Sequence, residues 1–334
     1  VINNFILTAA VSNGMGILKP LYLFFGKCME GLLFVCGNKY FIALTIFTIL
    51  TRLVLFPFNI RQQKSMAKTT RLQPKIQKIQ KKYSNTNDPR DRQKMNEEMQ
   101  ALYAREGHNP MNMGCGTMLF QMIFLMGVIG IIYYPLQYIL GIDAIADKAN
   151  DIVAVLQKSF DIETGSRYYF QLDIIQNFAQ YKDILASKFP NIFTAENIAA
   201  IESFKSHLTI FGIDMTQTPH WKDGIIVIFP ILCLASSMGT SVMSTIIQKK
   251  TNPAAAAQTS QMMIMMLMMP FFSFWFSFQV PAAVAFYWIV SSLVAIVQQL
   301  VMTKFFPPKK NMAKSMIEGT IERRSREESI KKTK

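Results

Sequence analysis

The sequence predicts an all-α integral membrane protein with five transmembrane helices, an N-terminal interfacial helix and a cytoplasmic helical hairpin. Three observations carry that expectation. Hydrophobic residues make up 51% of the 334 and charged ones only 17%, and the apolar residues fall in long blocks instead of short amphipathic runs. Five of these blocks are long enough to cross a hydrocarbon core. The basic residues are spread unevenly over the connecting segments, which gives the blocks an orientation.

The first element is an extracytoplasmic N-terminus, residues 1–40. The chain opens on Val1 in place of a methionine and no basic stretch precedes its first apolar residues, so a trimmed start is expected and no signal peptide is assigned. Residues 17–37, ILKPLYLFFGKCMEGLLFVCG, are interrupted by Lys19, Lys27 and Glu30, with Pro20 near their start. That mixture predicts a helix lying along the membrane surface.

Residues 41–60 form the first span. Within the stretch LTIFTILTRLVLFPFNIRQQKS, Arg52 sits inside the apolar run, roughly 13 Å before Arg61 at about 1.5 Å rise per residue. An arginine at the centre of a lone helix costs about 2.5–3.5 kcal/mol on insertion scales, so it needs a purpose. Thr45, Thr48 and Thr51 are near it in sequence, and Thr48 shares its face.

Residues 61–113 read as a cytoplasmic helical hairpin. Leu72, Ile76, Ile79 and Tyr83 recur at helical spacing, as do Met95, Met99 and Leu102. Between them, Asp88 and Pro89 in SNTNDPRD give a helix-start signal, and Gly107 with His108, Asn109 and Pro110 ends the second helix. Three or four apolar residues per helix can pair two helices but cannot build an independent domain.

Spans two to five follow at 117–140, 224–247, 262–278 and 281–303. They are separated by an extracytoplasmic segment, 141–223, with short helices expected over the mouth of the bundle, and by a cytoplasmic loop, 248–261. A basic cytoplasmic tail, 304–334, closes the chain. Charge orients the whole. Residues 61–106 hold twelve Lys or Arg against five acids, 141–223 hold seven against eleven, and 304–334 hold ten against four. The positive-inside rule then puts the hairpin, Lys249, Lys250 and the tail in the cytoplasm, with the N-terminus outside.

Soluble enzyme chemistry has no foothold. Cys28, Cys36, Cys115 and Cys233 form no CxxC pair, His108, His207 and His220 are scattered, and no phosphate loop, dinucleotide fingerprint or HExxH helix is present. No cofactor, metal or catalytic role is expected. The cluster MMIMMLMMP invites a copper-transport reading, because thioethers bind Cu(I). It holds no thiolate or histidine, and consecutive methionines face all sides of a helix, so soft packing is the better reading. Pro270 is expected to kink that span.

Four motifs carry a family resemblance: TRLVLFPFNIRQQKSMAKTTRLQPKIQKIQKKY, GHNPMNMGCGTMLFQMIFLMG, FGIDMTQTP and QVPAAVAFYWIVSSLVAIVQQ. In this order, over about residues 17–305, the chain resembles the YidC/Oxa family of membrane protein insertases, in the bacterial five-span form without a large extracytoplasmic β-domain. It departs from the family at two places. Ala282 and Ala283 follow Pro281 where the family often has Pro-Ala-Gly, which predicts a less close backbone approach there, and Thr240 stands where its third span often has glutamine.

The resemblance implies a bundle enclosing a hydrophilic groove, closed to the outside and open to the cytoplasm and laterally to lipid. The polar residues of the spans suit it: Gln121 in the second, Ser236, Ser237, Thr240 and Ser241 in the third, Ser291 and Ser292 in the last. Polar groups facing lipid are costly, so convergence on one wet cavity is expected. The implied client-binding groove comprises Arg52, Thr48, Gln121, Thr240, Tyr287, Trp288 and Ser291. Arg52 would be a fixed positive charge attracting an acidic client tail in a pocket of low dielectric. A structural lock is the bland reading of Arg52, although no span holds an Asp or Glu to pair with it; aromatic packing is the bland reading of Tyr287 and Trp288.

Expected partners are nascent membrane protein clients, the lipid bilayer, a ribosome reached through the basic tail and hairpin, and the Sec translocon. The expected location is the bacterial cytoplasmic membrane. The alternative is a transporter of a small anionic solute, since an arginine in a polar cavity can bind an anion. Against it, no internal repeat is found in the sequence.

Overall fold

Helix α1, Met15–Val35, buries Tyr22, Phe25, Met29 and Leu33, a stripe at spacings of three and four that is one face of a helix. Phe24, Phe34 and Val35 remain exposed on it, and Lys27 pairs with Glu30 at 2.8 Å. The computed structural model describes residues 15–83, 88–106, 115–160, 170–251 and 259–333. The chain start, residues 84–87, the expected helix-ending signal at Gly107 to Pro110 and residues 252–258 of the 248–261 loop lie outside the described residues.

Helix α2, Tyr40–Lys82, continues through Pro57 and Pro74 for 43 residues. The first span and the first basic amphipathic stretch are thus one helix. Helix α3, Pro89–Arg105, starts as the Asp-Pro signal requires: the Asp88 side chain accepts from the Arg90 N–H at 2.9 Å and Pro89 occupies the first turn, where its missing N–H is harmless. Lys75 pairs with Glu106, and Lys82 with Glu98, which also accepts from the Tyr83 hydroxyl at 2.9 Å.

Helix α4, Cys115–Tyr133, stops short of the apolar run that extends to Leu140. Pro135 supplies no N–H and disfavours helical geometry at Tyr134, so a separate turn, α5 (Pro135–Tyr138), follows. Short helices α6 (Ala144–Asp147), α7 (Ala149–Phe160), α8 (Phe170–Gln176), α9 (Phe178–Lys188) and α10 (Ala195–Ser206) come next. Strands β1 (Thr209–Ile210) and β2 (Ile213–Asp214) pair antiparallel, Thr209 opposite Asp214. Their two-residue loop has Phe211 at φ 50° and Gly212 at φ 79°, the left-handed pair that such a loop demands.

After a 3₁₀ turn at Gly224–Val227 come α11 (Ile228–Thr251), α12 (Thr259–Ser277, with Pro270 inside), α13 (Ala282–Phe305) and α14 (Pro308–Thr333). Among the described residues, three helical segments are long and apolar enough to cross a membrane: Tyr40–Gln63, Gly224–Ile247 and Ala282–Phe305. The helices at expected spans two and four, α4 and α12, are 19 residues each.

The chain divides into two compact units. The first runs to Thr51 and adds Met122–Leu234 and Phe272–Ser291; the second is Arg52–Gln121, Ala235–Phe271 and Ser292–Lys334. In the first, glycines set the helix approach. A Cβ on Gly26 of α1 would lie 2.1 Å from the Tyr138 carbonyl oxygen, and one on Gly130 of α4 would lie 2.4 Å from the Tyr22 ring. Phe25 packs against Phe47 and Phe124 at 5.2 and 4.7 Å. The connector 141–223 is fastened to α13 through the backbone: Ala282 donates to the Gln217 carbonyl and Ala283 to the Met215 carbonyl, both at 2.9 Å. These bonds satisfy N–H groups that the first turn of a helix leaves orphaned. The backbone here comes within hydrogen-bond distance of its neighbour with alanines in place of glycine, and both alanines are buried.

Candidate functional site: polar groups on apolar helices

Hydroxyls on these helices are mostly satisfied by their own backbone. Thr45 donates to the Phe41 carbonyl and Thr48 to the Leu44 carbonyl, each at 2.7 Å, and Thr51 donates to the Thr48 carbonyl at 2.8 Å. Thr240 donates to the Ser237 carbonyl at 2.7 Å and Thr245 to the Ser241 carbonyl at 2.8 Å. This back-bonding satisfies a hydroxyl within an apolar segment from its own helix.

Two amides bond across helices in the second unit. Arg52 is half-buried on α2, and its backbone carbonyl accepts from Gln298 Nε2 at 3.3 Å. One residue on, Gln299 of α13 donates from Nε2 to Ser244 Oγ of α11 at 3.1 Å, and the Ser244 hydroxyl lies 3.4 Å from Gln299 Oε1. Gly239 keeps α11 close to α13: a Cβ there would stand 3.2 Å from Ile296 Cδ1. Small residues and polar pairs are the means by which helices associate where lipid is as apolar as the side chains.

The expected groove residues divide between the units. Arg52 and Thr240, both half-buried, belong to the second. Thr48, Tyr287 and Ser291 belong to the first, where all three are buried, and Trp288 is half-buried with its ring 5.3 Å from that of Phe276. The side chain of Gln121 lies outside the described residues, as do those of Gln261 to Leu267 in the methionine cluster. Gln298, Gln299 and Ser244 were absent from the expected set. The signal was available, since two adjacent glutamines interrupt the apolar run of α13 just as Arg52 interrupts that of α2.

A separate cavity of about 420 Å³ lies in the first unit beside the connector, lined in part by Asp173, Thr216, Gln217, His220 and Asp223. Burial pushes the Asp173 carboxyl up from its ordinary value, against hydrogen bonds from Asn177 at 2.8 Å and Tyr181 at 3.5 Å. His220 Nδ1 is 2.9 Å from Asp223. Among the described residues no group of three or more His, Cys, Asp or Glu could hold a metal ion.

Known proteins share part of this sequence. The chain is 43% identical over 91 residues to Membrane protein insertase YidC 1 of Listeria monocytogenes serotype 4b, covering 27% of this chain and 31% of that protein. It is 37% identical over 117 residues to Membrane protein insertase YidC of Clostridium perfringens, covering 33% and 47% respectively. Against Membrane protein insertase MisCA of Bacillus subtilis it is 38% identical over 91 residues, covering 27% and 34%. The matched stretch is thus less than half of each of these relatives. The family described as 60Kd inner membrane protein matches over residues 32–310, which takes in Arg52, the connector and all three candidate spans, and the chain accordingly belongs to that family, the YidC/Oxa family of helical membrane proteins.

Proposed function

We propose that the chain is a noncatalytic membrane protein insertase and chaperone of the bacterial cytoplasmic membrane. Its five helices α2, α4, α11, α12 and α13 cross the bilayer, with the N-terminus outside and the C-terminus inside. Arg52 and the polar side chains of the spans, among them Thr48, Gln121, Thr240, Tyr287, Trp288 and Ser291, serve a hydrophilic groove for nascent clients. The basic ends of α2 and α3 form a cytoplasmic hairpin that meets clients or ribosomes.

The observation that carries this reading is the half-buried Arg52 in a helix otherwise apolar enough to span, in a chain whose relatives are named membrane protein insertases. A cationic group in a low-dielectric, wetted site attracts a carboxylate more strongly than bulk water allows. An acidic, unfolded client tail is drawn partway across, and its hydrophobic helix then leaves sideways into lipid. Burial of that helix in hydrocarbon drives the step, so no nucleotide is required.

Reconstitution tests it. Liposomes carrying the purified chain should insert a nascent single-span client with an acidic tail, and empty liposomes should not. Uptake of a small anionic solute by the same vesicles, without client insertion, would overturn the reading in favour of transport.

A further inference from the structure

We propose that Trp221 seats the connector on the bilayer interface, with the boundary between lipid headgroups and acyl chains as its partner. This rests on the reading of Gly224–Ile247 as a membrane span. The exposed side chains change character abruptly here. Gln217, His220, Lys222 and Asp223 are exposed and polar, whereas the exposed residues from Ile225 onward, Ile228, Ile231 and Leu232, are aliphatic. The polar-to-apolar boundary therefore falls between Asp223 and Ile225, two residues from Trp221.

A second helix shows the same boundary. On α12, Phe272 and Trp275 are exposed, while Gln279, just beyond its end, is exposed and polar. The Trp221 ring joins the two boundaries: it stacks on Phe278 with centroids 4.5 Å apart and planes at 24°, and meets Phe274 edge-on at 5.9 Å. Yet 69% of Trp221 is exposed. An indole held by a stack, open on its other side, and continuous with the apolar face of a candidate span has the features of an interfacial anchor: its ring enters the acyl boundary and its N–H stays at the polar level. The stack has already fixed the side chain, so little rotamer freedom remains to be lost on contact with lipid.

Together with the backbone bonds from Ala282 and Ala283 to the carbonyls of Gln217 and Met215, this gives the end of the connector two attachments, one to α13 and one to the membrane. A lipid anchor so placed sets the depth of the connector instead of leaving it free in solution.

Tryptophan quenching tests the assignment, since the chain holds only Trp221, Trp275 and Trp288. A Trp221-only variant (Trp275→Phe, Trp288→Phe) and a Trp275-only variant (Trp221→Phe, Trp288→Phe) are reconstituted in phosphatidylethanolamine and phosphatidylglycerol vesicles. Some vesicles carry lipids nitroxide-labelled near the ester, others near the chain terminus. Trp221 should lose more fluorescence to the shallow label than to the deep one, with emission blue-shifted from that of the unfolded chain. Trp221 quenched by aqueous iodide but by neither lipid label, quenched by nothing because protein covers it, or quenched most by the deep label, overturns the proposal. If Trp275 is lipid-quenched in those cases, the membrane reading survives the loss of the anchor; if neither tryptophan responds to lipid, that reading falls as well.

Discussion

Gln298 on α13 donates from Nε2 to the backbone carbonyl of Arg52 on α2 at 3.3 Å, across 246 positions of sequence. Because the acceptor is main chain, this contact does not depend on the Arg52 side chain. The charge and this one bond can therefore be removed separately. If Arg52 serves the proposed groove, Arg52→Ala should impair insertion of clients with acidic translocated tails, and Arg52→Lys should retain much of it, because attraction of a client carboxylate needs charge more than a planar fork. Gln298→Leu keeps the charge and should cost about 0.6 kcal/mol of bundle stability, with about 1.7 as an upper value for such bonds. Insertion assays in liposomes and thermal unfolding in detergent read the two effects. Equal insertion of several acidic-tail clients by wild type and Arg52→Ala would sink the role given to the charge.

Two glycines of α1 should respond oppositely to alanine. At Gly26 a methyl meets the Tyr138 carbonyl oxygen at 2.1 Å, a backbone atom that cannot rotate away. Overpacking of this kind costs about 1–3 kcal/mol. Nothing lies within 4 Å of a Cβ at Gly31, so Gly31→Ala should gain roughly 0.5–1 kcal/mol from helix propensity. Unfolding midpoints of the two variants check the sign of each, and a Gly26→Ala protein as stable as wild type would refute the close approach.

What the sequence disclosed and what it withheld follow from the range of the interactions involved. The start of α3 was legible because a cap is local: Asp88 and Pro89 act on N–H groups within two residues. Arg52 stood out because a charge in an apolar run is costly whatever surrounds it. The Gln298 contact could not be read, since nothing in either helix fixes its register against the other. The end of α4 at Tyr133 was announced by Pro135 but masked by apolarity that continues to Leu140. Phe211 at φ 50° gave no local cue beyond the neighbouring Gly212, because the usual residues for that conformation are Asn, Asp and Gly. At Ala282 and Ala283 the attachment to the connector could not be read from side chains, because it is made by backbone N–H groups that any residue but proline supplies.

Asp173 should make the connector sensitive to pH in a definite direction. Burial raises its pKa, so the folded state holds the proton more tightly than the unfolded state does. The stability this provides is complete below the unfolded value of about 3.9 and is lost as pH rises through the higher folded value. At neutral pH the carboxylate is charged in a partly desolvated place. Asp173→Asn removes that charge while its carbonyl oxygen can still accept from Asn177 and Tyr181. The variant should melt higher than wild type at pH 7, with the difference shrinking toward pH 4. A difference that is constant across this range would show that desolvation of Asp173 contributes nothing.

The tail provides the sharpest test of the proposed ribosome contact. Helix α14, Pro308–Thr333, is separated from the end of α13 at Phe305 by two residues, Phe306 and Pro307, and residues 304–334 carry ten basic groups against four acidic ones. If these bases neutralise ribosomal phosphates, each contact releases condensed counterions, and affinity falls as a power of salt concentration whose exponent counts the contacts. Replacing Lys309, Lys310, Arg323, Arg324, Arg326, Lys331, Lys332 and Lys334 with glutamine should weaken binding to purified ribosomes and flatten the plot of log affinity against log salt. If the proposed orientation holds, membrane topology should persist, because Lys249, Lys250 and the basic residues of 61–106 remain to mark the cytoplasmic side. Sedimentation of ribosomes with the detergent-solubilised protein over a salt series measures the slope, and protease protection of reconstituted vesicles measures orientation. An unchanged affinity and slope would move ribosome contact from the tail to the hairpin; an inverted topology would show that the tail's charge sets orientation instead.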